Sequence, residues 1–185
     1  MFSIATKRLI IRDHKDDDIY AMHELLSDEK AMFYLPDIRT KNIDESKENL
    51  RVALAEARAT NRRKYFYAII DKDIQDYIGE IGFTKTGERT LGNVMNLGYF
   101  IMPRHWGQGI VTEAARSIID YAFNNLGTVR IETGCLTENI GSEKVMKKLG
   151  MLKVAELKNH TLLNDKLYDR VEYILLKEEW KKTWL

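Results

Sequence analysis

Between Val94 and Leu126 the apolar residues change period, and the change falls on one short segment. Val94 to Met102 reads as a strand, whereas Gly107 to Leu126 places Ile110, Ala114, Ile118 and Tyr121 on one helical face. Val129 to Cys135 then returns to strand character. A strand, a helix and a strand in that order need a crossover, which makes this part of the sheet parallel. The switch itself, Met102-Pro103-Arg104-His105-Trp106-Gly107-Gln108-Gly109-Ile110-Val111, carries two glycines at the helix start. A helix N-terminus offers unpaired N–H groups and partial positive charge, and glycine lets an anion come close to that backbone. The segment reads as a phosphate cradle or as an ordinary tight turn, and a turn explains one glycine more readily than a Gly-x-Gly pair.

The rest of the chain has to supply a sheet and its covering helices. Arg8 to Arg12 alternates as a first strand, and Asp16-Asp17-Asp18 precedes a helix marked by Ile19, Met22, Leu25 and Leu26. Ile43, Leu50, Leu54 and Ala57 mark a second helix that ends near Asn61, with Arg62-Arg63-Lys64 as its cationic close. Tyr65 to Ile70 and Tyr77 to Thr84 join Val94 to Met102 in an antiparallel meander. Asn139 to Leu149 forms a helix closed by Gly150, and strands Met151 to Ala155 and Leu167 to Leu176 follow. The expected fold is α/β (α+β), a mixed and mostly antiparallel sheet of about seven strands flanked by about four helices. With 185 residues, 44% of them hydrophobic, and no Pro-, Ser- or Gly-rich linker, residues 1–185 are expected to form a single domain.

Charge and cysteine content narrow the function classes. Lys and Arg number 29 against 28 Asp and Glu, so no global field favours nucleic acid or an anionic membrane. Cys135 is the only cysteine, and neither it nor His14, His23, His105 and His160 has metal-site spacing, so no metal is expected. No stretch reaches the roughly 18 to 20 apolar residues of a spanning helix, and Met1 to Ile11 lacks a signal-peptide pattern. A cytoplasmic protein is expected, as a monomer or a homo-oligomer.

Two nucleotide-type ligands compete for a phosphate cradle. A dinucleotide (Rossmann-type, NAD(P)-binding) site wants a third glycine where Thr112 stands, although Glu132 lies near the separation of a ribose-binding acid. That reading leaves the first hundred residues without a role.

Arg104-x-x-Gly107-x-Gly109 matches the R-x-x-G-x-G/A acetyl-coenzyme A signature of the GNAT superfamily of N-acetyltransferases. Three further segments resemble its RimJ/RimL branch, the ribosomal-protein N-terminal acetyltransferase type. These are Thr6-Lys7-Arg8-Leu9-Ile10-Ile11-Arg12, Leu97-Gly98-Tyr99-Phe100-Ile101, and Glu138-Asn139-x-x-Ser142-x-x-Val145-Met146-x-Lys148-Leu149-Gly150-Met151. The resemblance implies a GNAT fold and an acetyl-CoA-dependent enzyme acting on a primary amine, either the N-terminal α-amine of a ribosomal protein or a small-molecule amine. It implies that backbone N–H groups of Trp106, Gly107, Gln108, Gly109, Ile110 and Val111 bind the diphosphate, with charge from Arg104. It places the pantetheine arm beside Phe100, Ile101 and Met102, in contact with Asn139, which also suits a helix N-cap.

Transfer to an amine needs an unprotonated nucleophile, donors for the thioester carbonyl and a proton for the leaving thiolate. Many members carry a tyrosine for that proton where this chain has Met146, so the resemblance assigns the donor or orienting hydroxyl to Ser142. Asn96 stands where an acidic residue is frequent and cannot act as a base. Glu80 is the first candidate base, with Glu132 and Asp165 behind it. The Asn96 and Met146 departures also permit a non-catalytic acyl-CoA-binding module. Acceptor selection is expected from Asp16 to Asn61 and from Asn159 to Tyr173, with Phe33, Tyr34, Tyr65, Tyr67 and Tyr168 as cleft or core aromatics.

Overall fold

The computed structural model describes residues 1–182. Its strands are β1 Ser3–Ala5, β2 Leu9–Asp13, β3 Lys64–Asp71, β4 Tyr77–Arg89, β5 Gly92–Ile101, β6 Thr128–Leu136, β7 Leu152–Leu163 and β8 Lys166–Leu176. They form one eight-stranded sheet in the order β1-β2-β3-β4-β5-β6-β8-β7. The helices are α1 Ile19–Ser27, α2 Ile43–Arg58, α3 Ile110–Asn125, α4 Ile140–Lys148 and α5 Lys177–Lys182, with 3-10 turns at Asp16–Asp18 and Pro103–His105. β5 and β6, joined through α3, pair in parallel, while the β1–β2, β2–β3, β3–β4, β6–β8 and β7–β8 pairs are antiparallel. A dinucleotide fold needs a run of parallel strands, so this sheet removes the Rossmann reading. No helix among the described residues is long and apolar enough to cross a membrane.

The sheet has the expected character with additions at its edges. β1 is only three residues long, and β7 continues to Leu163 instead of stopping at Ala155. Eleven of the twelve β7 positions are exposed or half-buried, so the segment has no apolar alternation to read. α2 ends at Arg58 rather than near Asn61. Arg62 does not close that helix: it pairs with the buried Asp13 at 2.8 Å and lies over the Tyr65 and Tyr67 rings. Gly150, with φ +73°, does close α4. The Gly150 N–H donates to the Lys147 carbonyl and the Met151 N–H to that of Met146, the paired bonds of a left-handed helix end.

The chain divides into two compact units, Met1–Thr84 with Gly98–Ser117, and Lys85–Leu97 with Ile118–Leu185. In the first, Met22, Leu25 and Leu26 of α1 and Leu50 of α2 bury against Ala68, Ile70, Tyr77 and Met102. Register rows explain the face: Ile10, Ile70 and Tyr77 lie in one row across β2, β3 and β4, and Arg12, Ala68 and Glu80 in the next on the same side. Tyr77 and Glu80 are three residues apart and would oppose each other on a regular strand. The register shift between Ile69 and Ile70 brings them to one side. In the second unit, Ile131 of β6 and Val171, Tyr173 and Leu175 of β8 are buried, as are Met146 and Leu149 at the end of α4.

Candidate active site

The end of β5 is fixed from the β4 side. The Met102 N–H donates to the Ile78 carbonyl at 2.9 Å, and a Cβ on Gly79 would come within 2.8 Å of the Phe100 carbonyl oxygen. The chain then turns through Pro103–His105, and the indole N–H of Trp106 donates back to the Ile101 carbonyl at 3.0 Å. Gly107 and Gly109 both have φ +74°, a left-handed conformation that side chains resist. A Cβ on Gly107 would meet nothing within 4 Å, and one on Gly109 only the Arg8 guanidinium, at 3.9 Å. Backbone conformation, not packing, demands these glycines, and open space lies before them. The first α3 bond runs from the Glu113 N–H to the Gly109 carbonyl, so the N–H groups of Ile110, Val111 and Thr112 have no carbonyl one turn back. Left-handed glycines leading into free helix amides make a concave donor set of the kind that holds phosphate.

A second group of residues fastens this turn. The Glu113 carboxylate accepts from the Thr6 hydroxyl at 2.6 Å, the Arg8 N–H at 2.9 Å and Arg8 Nε at 2.7 Å. Burial works to raise its pKa, and the bonds from Thr6 and Arg8 outweigh burial and hold it below the usual value. Arg8 Nη1 donates to the Gln108 carbonyl at 3.0 Å. Arg8 therefore pins the middle of the turn and sets a guanidinium beside Gly109. Arg104 is engaged elsewhere, with Glu24 of α1 at 2.8 Å, an exposed and hence weak pair. His105 accepts from Arg104 Nε at 3.3 Å.

The row next to the apolar core carries charge. Arg12 donates to both oxygens of Asp18 at 2.7 Å, and Asp18 also accepts the Lys15 N–H. Asp18 is thus a buried partner of Arg12 and more than an acidic helix start. Burial alone would raise its pKa, but the bonds from Arg12 and Lys15, with the nearby His14 ring acting in the same direction, put it well below the usual carboxylate range. The His14 side chain is fully buried between two carboxylates, with Nδ1 3.7 Å from Asp18 and Nε2 3.9 Å from Glu80. Glu80 accepts the Tyr77 hydroxyl at 2.5 Å, and burial raises its pKa.

The second unit holds the remaining candidates. Asn139 is the N-cap of α4, its side-chain oxygen accepting the Ser142 N–H at 3.1 Å. The Cys135 thiol donates to the Asn139 carbonyl at 3.8 Å, and burial pushes its pKa up against a smaller lowering effect from Ser142. Met146, at the tyrosine position, is buried. Glu132 stands opposite Asn96 in the β5–β6 register and pairs with Arg130 at 2.8 Å. Asp165 and Asn164 have φ +58° and +50° in the β7–β8 turn, a tight hairpin geometry that by itself accounts for an aspartate there. Of the aromatics, Phe33 and Tyr34 meet edge to face, Tyr67 is buried, and Tyr168 lies under Lys166.

The turn in the first unit is one that an anionic group can occupy, and comparison with known proteins gives the class. Residues 8–152 match the acetyltransferase (GNAT) domain family. The chain is 32% identical over 179 residues to the uncharacterised N-acetyltransferase YnaD of Bacillus subtilis (strain 168), covering 96% of this chain and 98% of that protein. The ribosomal-protein-S5-alanine acetyltransferase structure from Vibrio fischeri has a TM-score of 0.80 at 19% identity, over 97% of this chain and 99% of that one. The spermidine N-acetyltransferase from Vibrio cholerae, in complex with CoA and spermine, has a TM-score of 0.81 at 17% identity, over 95% and 99%. The chain belongs to the GNAT acetyltransferase family and is an N-acetyltransferase that uses acetyl-CoA.

Proposed function

We propose that this enzyme acetylates a primary amine, with the N-terminal α-amine of a protein, a ribosomal protein first among them, as its acceptor. A small-molecule amine is the competing acceptor. Residues 1–185 act as one catalytic domain in this reading. The observation that carries its coenzyme-dependent part is the paired left-handed glycines before the unpartnered amides of α3, with Arg8 alongside. Acetyl-CoA supplies the activated acetyl thioester.

The chain's own groups supply the rest. Backbone N–H groups from Trp106 to Val111 hold the diphosphate, and the strand end at Phe100, Ile101 and Met102 aligns the pantetheine arm as an added strand. Arg104 remains free to exchange Glu24 for phosphate, since an exposed pair costs little to break. The family resemblance assigns contact with the arm to Asn139, which caps α4, and the hydroxyl that orients the thioester or protonates the departing thiolate to Ser142. Glu80 takes the acceptor's proton. Glu132, tied to Arg130, is the secondary candidate. An α-amine has a reference pKa of about 8 and is partly neutral at physiological pH, whereas a lysine amine near 10.4 is not, so an α-amine asks less of the base.

The test is a thiol-release screen with alanyl peptides, polyamines and free amino acids. Release on peptide α-amines supports the reading. Release confined to polyamines overturns the choice of acceptor.

A further inference from the structure

A buried imidazole with neither nitrogen in a hydrogen bond is an anomaly, because such groups are almost always satisfied. His14 is that case: its ring nitrogens have no hydrogen-bond partner within 3.5 Å, yet a carboxylate lies just beyond reach on each side. The sequence builds the arrangement locally. His14 stands just past the end of β2, two residues after Arg12, with its side chain fully buried beside Asp18 and Glu80. Ala68, between Arg12 and Glu80 in the register row, is too small to fill the space above it. Arg12, His14, Asp18, Tyr77 and Glu80 share that space, and they are the charged and titratable groups that face the imidazole from β2, the Asp16–Asp18 turn and β4.

One end of the cluster is closed and the other leads toward the end of β5. Asp18 is held by three bonds at 2.7 Å and cannot move away. Glu80 retains 12% side-chain exposure, and its partner Tyr77 packs in one apolar cluster with Met102, with Phe100 against it. We propose that His14 is a positioning residue that relays the acceptor's proton away from Glu80, with Asp18 steadying the ring. This rests on the acetyltransferase reading and on Glu80 as its base.

The proton balance is closed. An N–H bond of the acceptor ammonium breaks and an O–H bond forms on Glu80, then that proton passes to His14 Nε2 and the Glu80 carboxylate is restored. With the imidazole unprotonated, the cluster carries one positive charge, on Arg12, and two negative charges, on Asp18 and Glu80. An arriving ammonium makes the site neutral, and moving its proton to His14 leaves it neutral, so no net charge builds up in a buried place. The gaps of 3.7 and 3.9 Å are longer than hydrogen bonds and nearly equal. A small ring shift closes either one, as apo catalytic contacts commonly tighten on binding.

The experiment compares the most active amine from the thiol-release screen with its analogue fluorinated beside the nitrogen, which is already neutral at pH 7. For the ordinary amine, Glu80→Gln and His14→Gln are expected to lower kcat/KM by about 100-fold and about 10-fold, at unchanged KM for acetyl-CoA. For the fluorinated amine both losses should shrink at least fivefold. Equal losses with both amines, or no loss in His14→Gln, overturn the relay while the wild-type rate still upholds the acetyltransferase. No thiol release by wild type with any amine overturns both. Histidine 15N NMR of the wild type gives a readout that needs no variant: adding the amine to the CoA-bound enzyme should move the His14 ring nitrogens toward the imidazolium pattern. A ring unchanged by the amine overturns the relay.

Discussion

Replacing Asp18 with asparagine isolates a buried, multiply bonded charge pair in the first unit. Asp18 is 7% exposed and accepts three hydrogen bonds at 2.7 Å, two from the Arg12 guanidinium and one from the Lys15 N–H. Asparagine keeps one acceptor and turns an NH2 group toward the remaining donors, so Arg12 is left buried and uncompensated. Breaking one side of a buried pair costs about 3–5 kcal/mol, a large part of the roughly 5–15 kcal/mol that holds a domain folded. At about 2–4 °C per kcal/mol for a chain of this size, the melting temperature should fall by about 10 °C. Thermal and urea unfolding measure it. The pH dependence provides an internal control. The folded-state pKa of Asp18 is lowered from 3.8, so its contribution is complete above the unfolded value and disappears as pH falls below about 4 toward the folded value. Wild type should lose stability over that acid range more steeply than Asp18→Asn. A variant within about 1 kcal/mol of wild type at pH 7, with an unchanged acid limb, refutes the reasoning.

Other perturbations separate coenzyme binding from chemistry. Glu113→Ala removes the acceptor of three bonds and frees Arg8, so the KM for acetyl-CoA should rise about tenfold, the equivalent of about 1.4 kcal/mol, in a steady-state assay. Asn139→Ala deletes the α4 cap and should cost about 1 kcal/mol in urea unfolding. Ser142→Ala should lower kcat about 10-fold or more with little change in KM, the pattern of a group that acts mainly in the transition state.

Much of this fold is legible in the chain because buried strands and amphipathic helices carry strong periods. The crossover through α3, the parallel β5–β6 pair and the Gly150 stop all follow from residue pattern. β1 and most of β7 do not, because exposed edge strands need no apolar alternation. Among site groups, the glycine loop is legible because φ +74° leaves few residue choices. The roles of Arg8, Glu113, His14 and Asp18 are not. Arg8 and Glu113 are 105 residues apart and meet only after folding, and His14 meets Glu80 only once β2, β3 and β4 have paired. Arg62 illustrates the opposite error, since a basic run after a helix suits its negative end yet the guanidinium answers a buried Asp13 on another strand.

The most direct measurement is calorimetric titration of coenzyme A into wild type and into a Gly107→Val/Gly109→Val variant whose circular dichroism shows an intact fold. Left-handed valines should cost about 2–4 kcal/mol of stability in total, and their side chains would occupy the space where the diphosphate meets the amides. A loss of affinity of about 100-fold or more is expected. Wild-type affinity in the folded variant would contradict the assignment of this turn as the coenzyme site.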